Sequence, residues 1–91
     1  MTRIPVWLEI DGERLLQALQ EAAEKLDGAD GEVVLGFSSV RRIDPGALKA
    51  MDEFARSADD KAVKVVLHGV NVDVYRVLTL AKLAPRFSFL A

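Results

Sequence analysis

Residues 32–48 read Glu-Val-Val-Leu-Gly-Phe-Ser-Ser-Val-Arg-Arg-Ile-Asp-Pro-Gly-Ala-Leu. The first part is a short apolar run of high β-propensity, Val33, Val34, Leu35 and Phe37, with Gly36 as its one weak position. It predicts a buried strand. The second part predicts a helix start. Asp44 is an N-cap, because its carboxylate accepts from the free N–H groups of the first turn. Pro45 takes the first helical position, where its missing N–H costs nothing. A loop that leaves a strand and ends on a helix N-terminus is suited to receiving an anion or a partner. The rest of the chain reads as a frame for this junction.

Upstream, residues 4–10 form a strand whose Ile4, Val6, Leu8 and Ile10 alternate onto one face. Pro5 cannot donate to a ladder and suggests an edge position. Asp11-Gly12 turns the chain into a helix over residues 13–26, with Leu15, Leu16, Leu19, Ala22, Ala23 and Leu26 as its apolar stripe. Gly28 is the expected C-cap. Downstream, the helix that starts at Pro45 runs to about residue 58, striped by Ala47, Leu48, Met51, Phe54, Ala55 and Ala58. Residues 63–68 form a third strand, interrupted only by Lys64 and so apolar on both faces. Asn71 caps a third helix over residues 72–84, Pro85 ends it, and residues 87–90 supply a last short strand. The order β-α-β-α-β-α-β predicts an α/β fold. We expect a single small domain over residues 1–91, built on a mostly parallel sheet of about four strands with right-handed crossovers.

The bulk properties narrow the function classes. Of 91 residues, 51% are hydrophobic, which is enough for a core. Twelve basic and 14 acidic side chains give a formal charge of −2, which argues against nucleic acid or an anionic membrane as the partner. There is no cysteine, hence no disulfide, thiolate or Cys-based metal chemistry. No apolar run approaches the length of a membrane span, and the first residues lack a signal-peptide core, so no direct membrane insertion and a cytoplasmic location are expected.

Enzymatic and cofactor motifs do not emerge. No Gly-x-Gly-x-x-Gly and no phosphate-binding loop is present. His68 is the one histidine and has no companions at ligand spacing, so no metal is expected. Ser38 and Ser39 have no arranged base, which speaks against a nucleophile and against an enzyme; hydrogen bonding to nearby backbone is their simpler role. Arg41-Arg42 is a small basic spot in a strand-end loop, where binding residues concentrate.

The run Val33-Val34-Leu35-Gly36-Phe37-Ser38-Ser39-Val40-Arg41-Arg42-Ile43-Asp44, followed by Leu48, resembles the core of STAS domains, the anti-sigma factor antagonists and related transporter domains. The family pattern is an apolar strand, Asp-apolar-Ser, a short loop, apolar-Asp-Ser-Ser-Gly-Leu, then a helix. Val65-Val66-Leu67-His68-Gly69-Val70-Asn71 and Val74-Tyr75-Arg76-Val77-Leu78 look like the family's next strand, loop and helix. The resemblance spans residues 32–89. The family's phosphorylated serine falls on Gly46 and the serine before it on Pro45, so the resemblance implies a scaffold without its phosphoacceptor. Gly36 stands where the family often has an aspartate, and one N-terminal strand replaces the usual two. The small size and the Gly-Val-Asn-x-x-Val-Tyr wording also resemble the standalone STAS subunit of bacterial phospholipid-transport ABC systems.

The resemblance implies a non-enzymatic, cofactor-free regulatory module that binds a protein partner, either an anti-sigma kinase or a transporter ATPase. The residues expected to meet the partner are Arg41, Arg42, Asp44, Pro45, Gly46 and Lys49. Leu80 and Leu83 join them as apolar residues surplus to the third helix's stripe, on a patch that would serve a partner or a homodimer. A small-anion or nucleotide binder at the start of the second helix is the alternative. The helix dipole favours an anion there, but Asp44 already competes for the cap.

Overall fold

Every strand expected from an apolar run forms, and each of the first three is followed by a helix that returns the chain to the start of the next. The computed structural model describes residues 6–28 and 31–90. Strands β1 (Val6–Glu9), β2 (Glu32–Gly36), β3 (Lys64–His68) and β4 (Ser88–Leu90) lie side by side in sequence order and pair in parallel throughout. Helices α1 (Leu15–Glu24), α2 (Pro45–Asp60) and α3 (Val72–Leu80) make the crossovers. Sequential strand order with crossovers of one hand places all the helices on one face of the sheet. The core agrees: Leu19, Phe54, Val74 and Leu78 from the helices share one cluster with Val33, Leu35 and Leu67 from the strands.

The two-residue period of a strand sends alternate side chains to the other face. Val34 and Val66 point there and lie outside that cluster, yet are only 2% and 4% exposed. On the same face the indole of Trp7 meets the His68 ring edge-on, with centroids 5.2 Å apart. The expected burial of both faces of β3 therefore holds, although helices cover only one of them. The expected start of β1, Ile4 and Pro5, lies outside the described residues.

The helix ends depart from the sequence reading, and the departures have local causes. A 3-10 turn, Gly12–Arg14, precedes α1, and Asp11 caps it by accepting from the Glu13 N–H at 2.9 Å. α1 stops at Glu24, and Leu26 is buried from a second 3-10 turn, Leu26–Gly28. Gly28 is not the C-cap, which is Lys25; the left-handed glycine is Gly31. Leu16 falls off the stripe and is exposed.

α2 and α3 both close without a glycine. Ala62 and Lys82 adopt left-handed backbone, with φ of 55° and 62°. After α2, the N–H of Ala62 donates to Asp59 O and that of Val63 to Ala58 O. After α3, the N–H of Lys82 donates to Thr79 O and that of Leu83 to Leu78 O. Both are Schellman closures, in which the residue after the left-handed one folds back onto the last turn. That geometry corrects the reading of α3 as a helix to residue 84 and the placement of Leu83 on an exposed patch. Leu83 is 7% exposed and belongs to the core with Leu78, whereas Leu80 is 77% exposed. The following turn, Ala84–Arg86, is tied to α2 by Arg86, whose two terminal nitrogens donate to Asp52 at 2.9 Å and Asp59 at 3.0 Å.

Candidate functional site

The segment between β2 and α2 lies at the carboxyl ends of the strands, where parallel sheets place their binding loops. It is anchored first by its own apolar residues, since Phe37, Val40 and Ile43 are all buried. The N–H of Phe37 donates to His68 O at 2.7 Å, and a turn closes with the N–H of Val40 on Phe37 O at 2.9 Å.

Two polar side chains then pin the loop from either side. On the β1 side, the Ser39 hydroxyl donates to Ile10 O at 2.8 Å and accepts from the Gly12 N–H at 3.1 Å. The approach is close enough to require glycine at position 12, because a Cβ there would lie 2.1 Å from Ser39 O. On the β3 side, Asn71 donates from Nδ2 to the carbonyls of Val40 and Arg41, each at 3.3 Å. Its Oδ1 accepts from the Val74 N–H at 2.7 Å, the expected cap of α3. Gly69, at φ 76°, leaves room for the Ser38 hydroxyl, which would stand 2.4 Å from a Cβ there. The Ser39 hydroxyl thus bonds, and that of Ser38 packs against, backbone of neighbouring segments.

The loop ends as the sequence predicts. Asp44 is the N-cap of α2, accepting from the Ala47 N–H at 2.7 Å, and Pro45 is the first helical residue. Gly46 is exposed, and a Cβ at this position would meet only Asp44 Oδ1, at 3.5 Å. Space for a side chain exists here; a hydroxyl does not. Lys49 follows one turn on and is exposed with Pro45.

Arg41 and Arg42 are exposed, and among the described residues neither forms an ion pair, while Arg56, Lys61 and Arg86 all do. The two arginines border an open groove of about 760 Å³, lined also by Asp11, Glu13, Ser38 and Ser39. An adjoining groove of about 400 Å³ runs from Arg42 and Asp44 to Arg14 and Leu16. The structure therefore brings Arg41, Arg42, Asp44, Pro45, Gly46 and Lys49 to one junction. Leu80 is not part of it. It lies at the far end of α3, about 13.5 Å along the axis from the Asn71 cap at about 1.5 Å per residue. Among the described residues no group of three or more His, Asp or Glu side chains is placed to hold a metal ion.

Sequence reasoning recognised Asn71 and Gly12 only as a cap and a turn residue, and missed that each reaches the central loop. Their partners lie 27 to 31 residues away, and no local pattern reports such a contact. The comparison with known families bears on the whole arrangement, since the STAS domain profile matches residues 7–90.

The chain belongs to the STAS domain family.

Two solved structures share its fold. An NMR structure of the protein TM1081 superposes with a TM-score of 0.73 at 20% identity, covering 92% of this chain and 71% of that one. A crystal structure of tm1081 from Thermotoga maritima, described there as a proposed anti-sigma factor antagonist, gives 0.71 at 22% identity, covering 94% and 74%. A search of curated proteins returns no match. Within this STAS domain no helix among the described residues is long and apolar enough to cross a membrane.

Proposed function

We propose that this STAS domain is a non-enzymatic regulatory module, similar to an anti-sigma factor antagonist that lacks a phosphoacceptor. It binds a protein partner through the β2–α2 junction. The observation that carries the reading is the combination, at one exposed junction, of a loop pinned by Ser39 and Asn71 with a helix tip that bears no nucleophile at Gly46. A loop already held in place loses little conformational freedom on binding. Arginine is enriched at the energetic centres of interfaces, and the side chains of Arg41 and Arg42 form no ion pair among the described residues. In this reading Pro45, Gly46 and Lys49 complete the contact surface, the partner is a kinase of the anti-sigma type, and the interaction is not switched by phosphate at the α2 tip.

The test is incubation with an anti-sigma-type kinase and magnesium-ATP, read by intact mass. The wild-type chain should gain no phosphate. The Gly46→Ser variant restores a hydroxyl where the structure leaves room, and should gain one phosphate at residue 46. A phosphate on the wild-type chain, at Ser38 or Ser39, would defeat the claim of a lost switch. Tight binding of a transporter ATPase by the same junction, with no binding of the kinase, would assign the surface to a phospholipid-transport system instead.

A further inference from the structure

The two grooves at the β2–α2 junction share Gly12, Glu13 and Arg42 as walls, so they form one open depression from Arg41 to the first turn of α1. Its charges differ in what they are free to do. Two of its three carboxylates are already met by N–H donors at helix starts: Asp11 accepts from the Glu13 N–H at 2.9 Å and Asp44 from the Ala47 N–H at 2.7 Å. The third, Glu13, is exposed and forms no ion pair among the described residues. The three cations, Arg14, Arg41 and Arg42, are likewise exposed and form none. A chain of formal charge −2 therefore presents a locally cationic surface here.

The depression also has an apolar wall. Leu16 lines it from α1 and is 49% exposed, whereas Leu15 and Leu19 of the same helix are buried. A bare phosphate or a nucleic-acid backbone would leave the Leu16 side chain in water. A peptide with an apolar residue beside its carboxylates would cover it.

Building on the reading of this junction as the partner surface, we infer that it receives an acidic peptide segment of the partner with an apolar residue next to its carboxylates. The carboxylates meet Arg41 and Arg42, whose planar guanidinium forks match two acceptor oxygens at once. The apolar residue lies on Leu16. Glu13 stands between the two contacts and repels the segment, so the wild-type surface binds it less tightly than its arginines allow.

Glu13 supplies the test, because removing its charge should improve binding. The measurement is calorimetric titration with an anti-sigma-type kinase that binds the wild-type chain. Glu13→Gln should bind about threefold more tightly, the scale of one exposed charge pair. Leu16→Ala keeps a good helix former and should bind about fivefold more weakly, the scale of leaving half a leucine side chain uncovered. Neither side chain is buried, so both variants should keep the wild-type melting temperature. Unchanged or weaker binding by Glu13→Gln overturns the acidic segment; if the double variant Arg41→Glu, Arg42→Glu still loses binding, the surface is right and the charge assigned to its partner is wrong. Unchanged binding by Leu16→Ala overturns the apolar contact. Wild-type affinity in the double variant defeats the junction as the partner surface, and the acidic segment with it.

Discussion

Asn71 performs two tasks with two different atoms, and they can be separated by substitution. Its Oδ1 caps α3 through the Val74 N–H at 2.7 Å, and its Nδ2 holds the carbonyls of Val40 and Arg41 at 3.3 Å. Asn71→Ala removes both. Loss of a cap costs about 0.5–2 kcal/mol. The two Nδ2 bonds are long, and the one to Arg41 is exposed, so together they contribute at the low end of the roughly 0.5–1.5 kcal/mol of a single protein hydrogen bond. The sum is about 2 kcal/mol, or roughly 8–16 °C in melting temperature at the 4–8 °C per kcal/mol of a domain this size. Asn71→Asp keeps the capping oxygen, because aspartate caps about as well as asparagine, but it has no donor for the loop. Its melting temperature should fall by less than half as much as that of the alanine variant. Its loop should nonetheless loosen. Thermal melts followed by circular dichroism give the first quantity, and hydrogen exchange at the amides of Arg41, Arg42 and Ile43 gives the second. If Asn71→Asp melts as low as Asn71→Ala, the separation of cap and pin is wrong. If the loop amides in Asn71→Asp exchange as slowly as in the wild type, Asn71 does not pin the loop.

Three further outcomes follow from the geometry. Asp44→Ala removes the cap of α2 and should lower stability by about 0.5–2 kcal/mol in a denaturant titration; an unchanged midpoint would make the carboxylate purely functional. Leu83→Ala should cost about 2–5 kcal/mol as a core truncation, while Leu80→Ala should stay within about 0.5 kcal/mol of the wild type, and equal losses in the two would contradict their opposite burial. Ala62→Gly relieves a left-handed conformation that costs an L-residue about 1–2 kcal/mol, but glycine returns roughly 0.4–1 kcal/mol through a freer unfolded chain. The melting temperature should therefore rise by a few degrees, and a fall would mean that the Schellman closure after α2 holds no such strain.

The fold was legible because its signals are local and repeated. The apolar runs at residues 33–37 and 63–68, the helical stripes and the two caps at Asp44 and Asn71 each specify one element, and their alternation admits few topologies. The α2 end of the site was legible for the same reason, since the Asp44-Pro45 pair marks its own helix start. Helix C-termini were not. The left-handed positions at Ala62 and Lys82 are held by closures rather than by glycine, so nothing in residue type announced where α3 stops or that Leu83 turns inward. The pinning of the loop was also hidden. Ser39 and Asn71 act on backbone groups brought close only by the parallel pairing of β1, β2 and β3.

The central claim is that the β2–α2 junction is the surface that meets the partner, and Arg41 and Arg42 offer the most direct measurement of it. Both side chains are exposed and carry no ion pair among the described residues, so reversing their charge leaves the core intact. Calorimetric titration with an anti-sigma-type kinase that binds the wild-type chain should show that the double variant Arg41→Glu, Arg42→Glu binds at least about 100-fold more weakly than the wild type, the scale of losing about 2.8 kcal/mol at an interface hot spot, with the same melting temperature. Binding at wild-type affinity by a folded double variant would contradict the account.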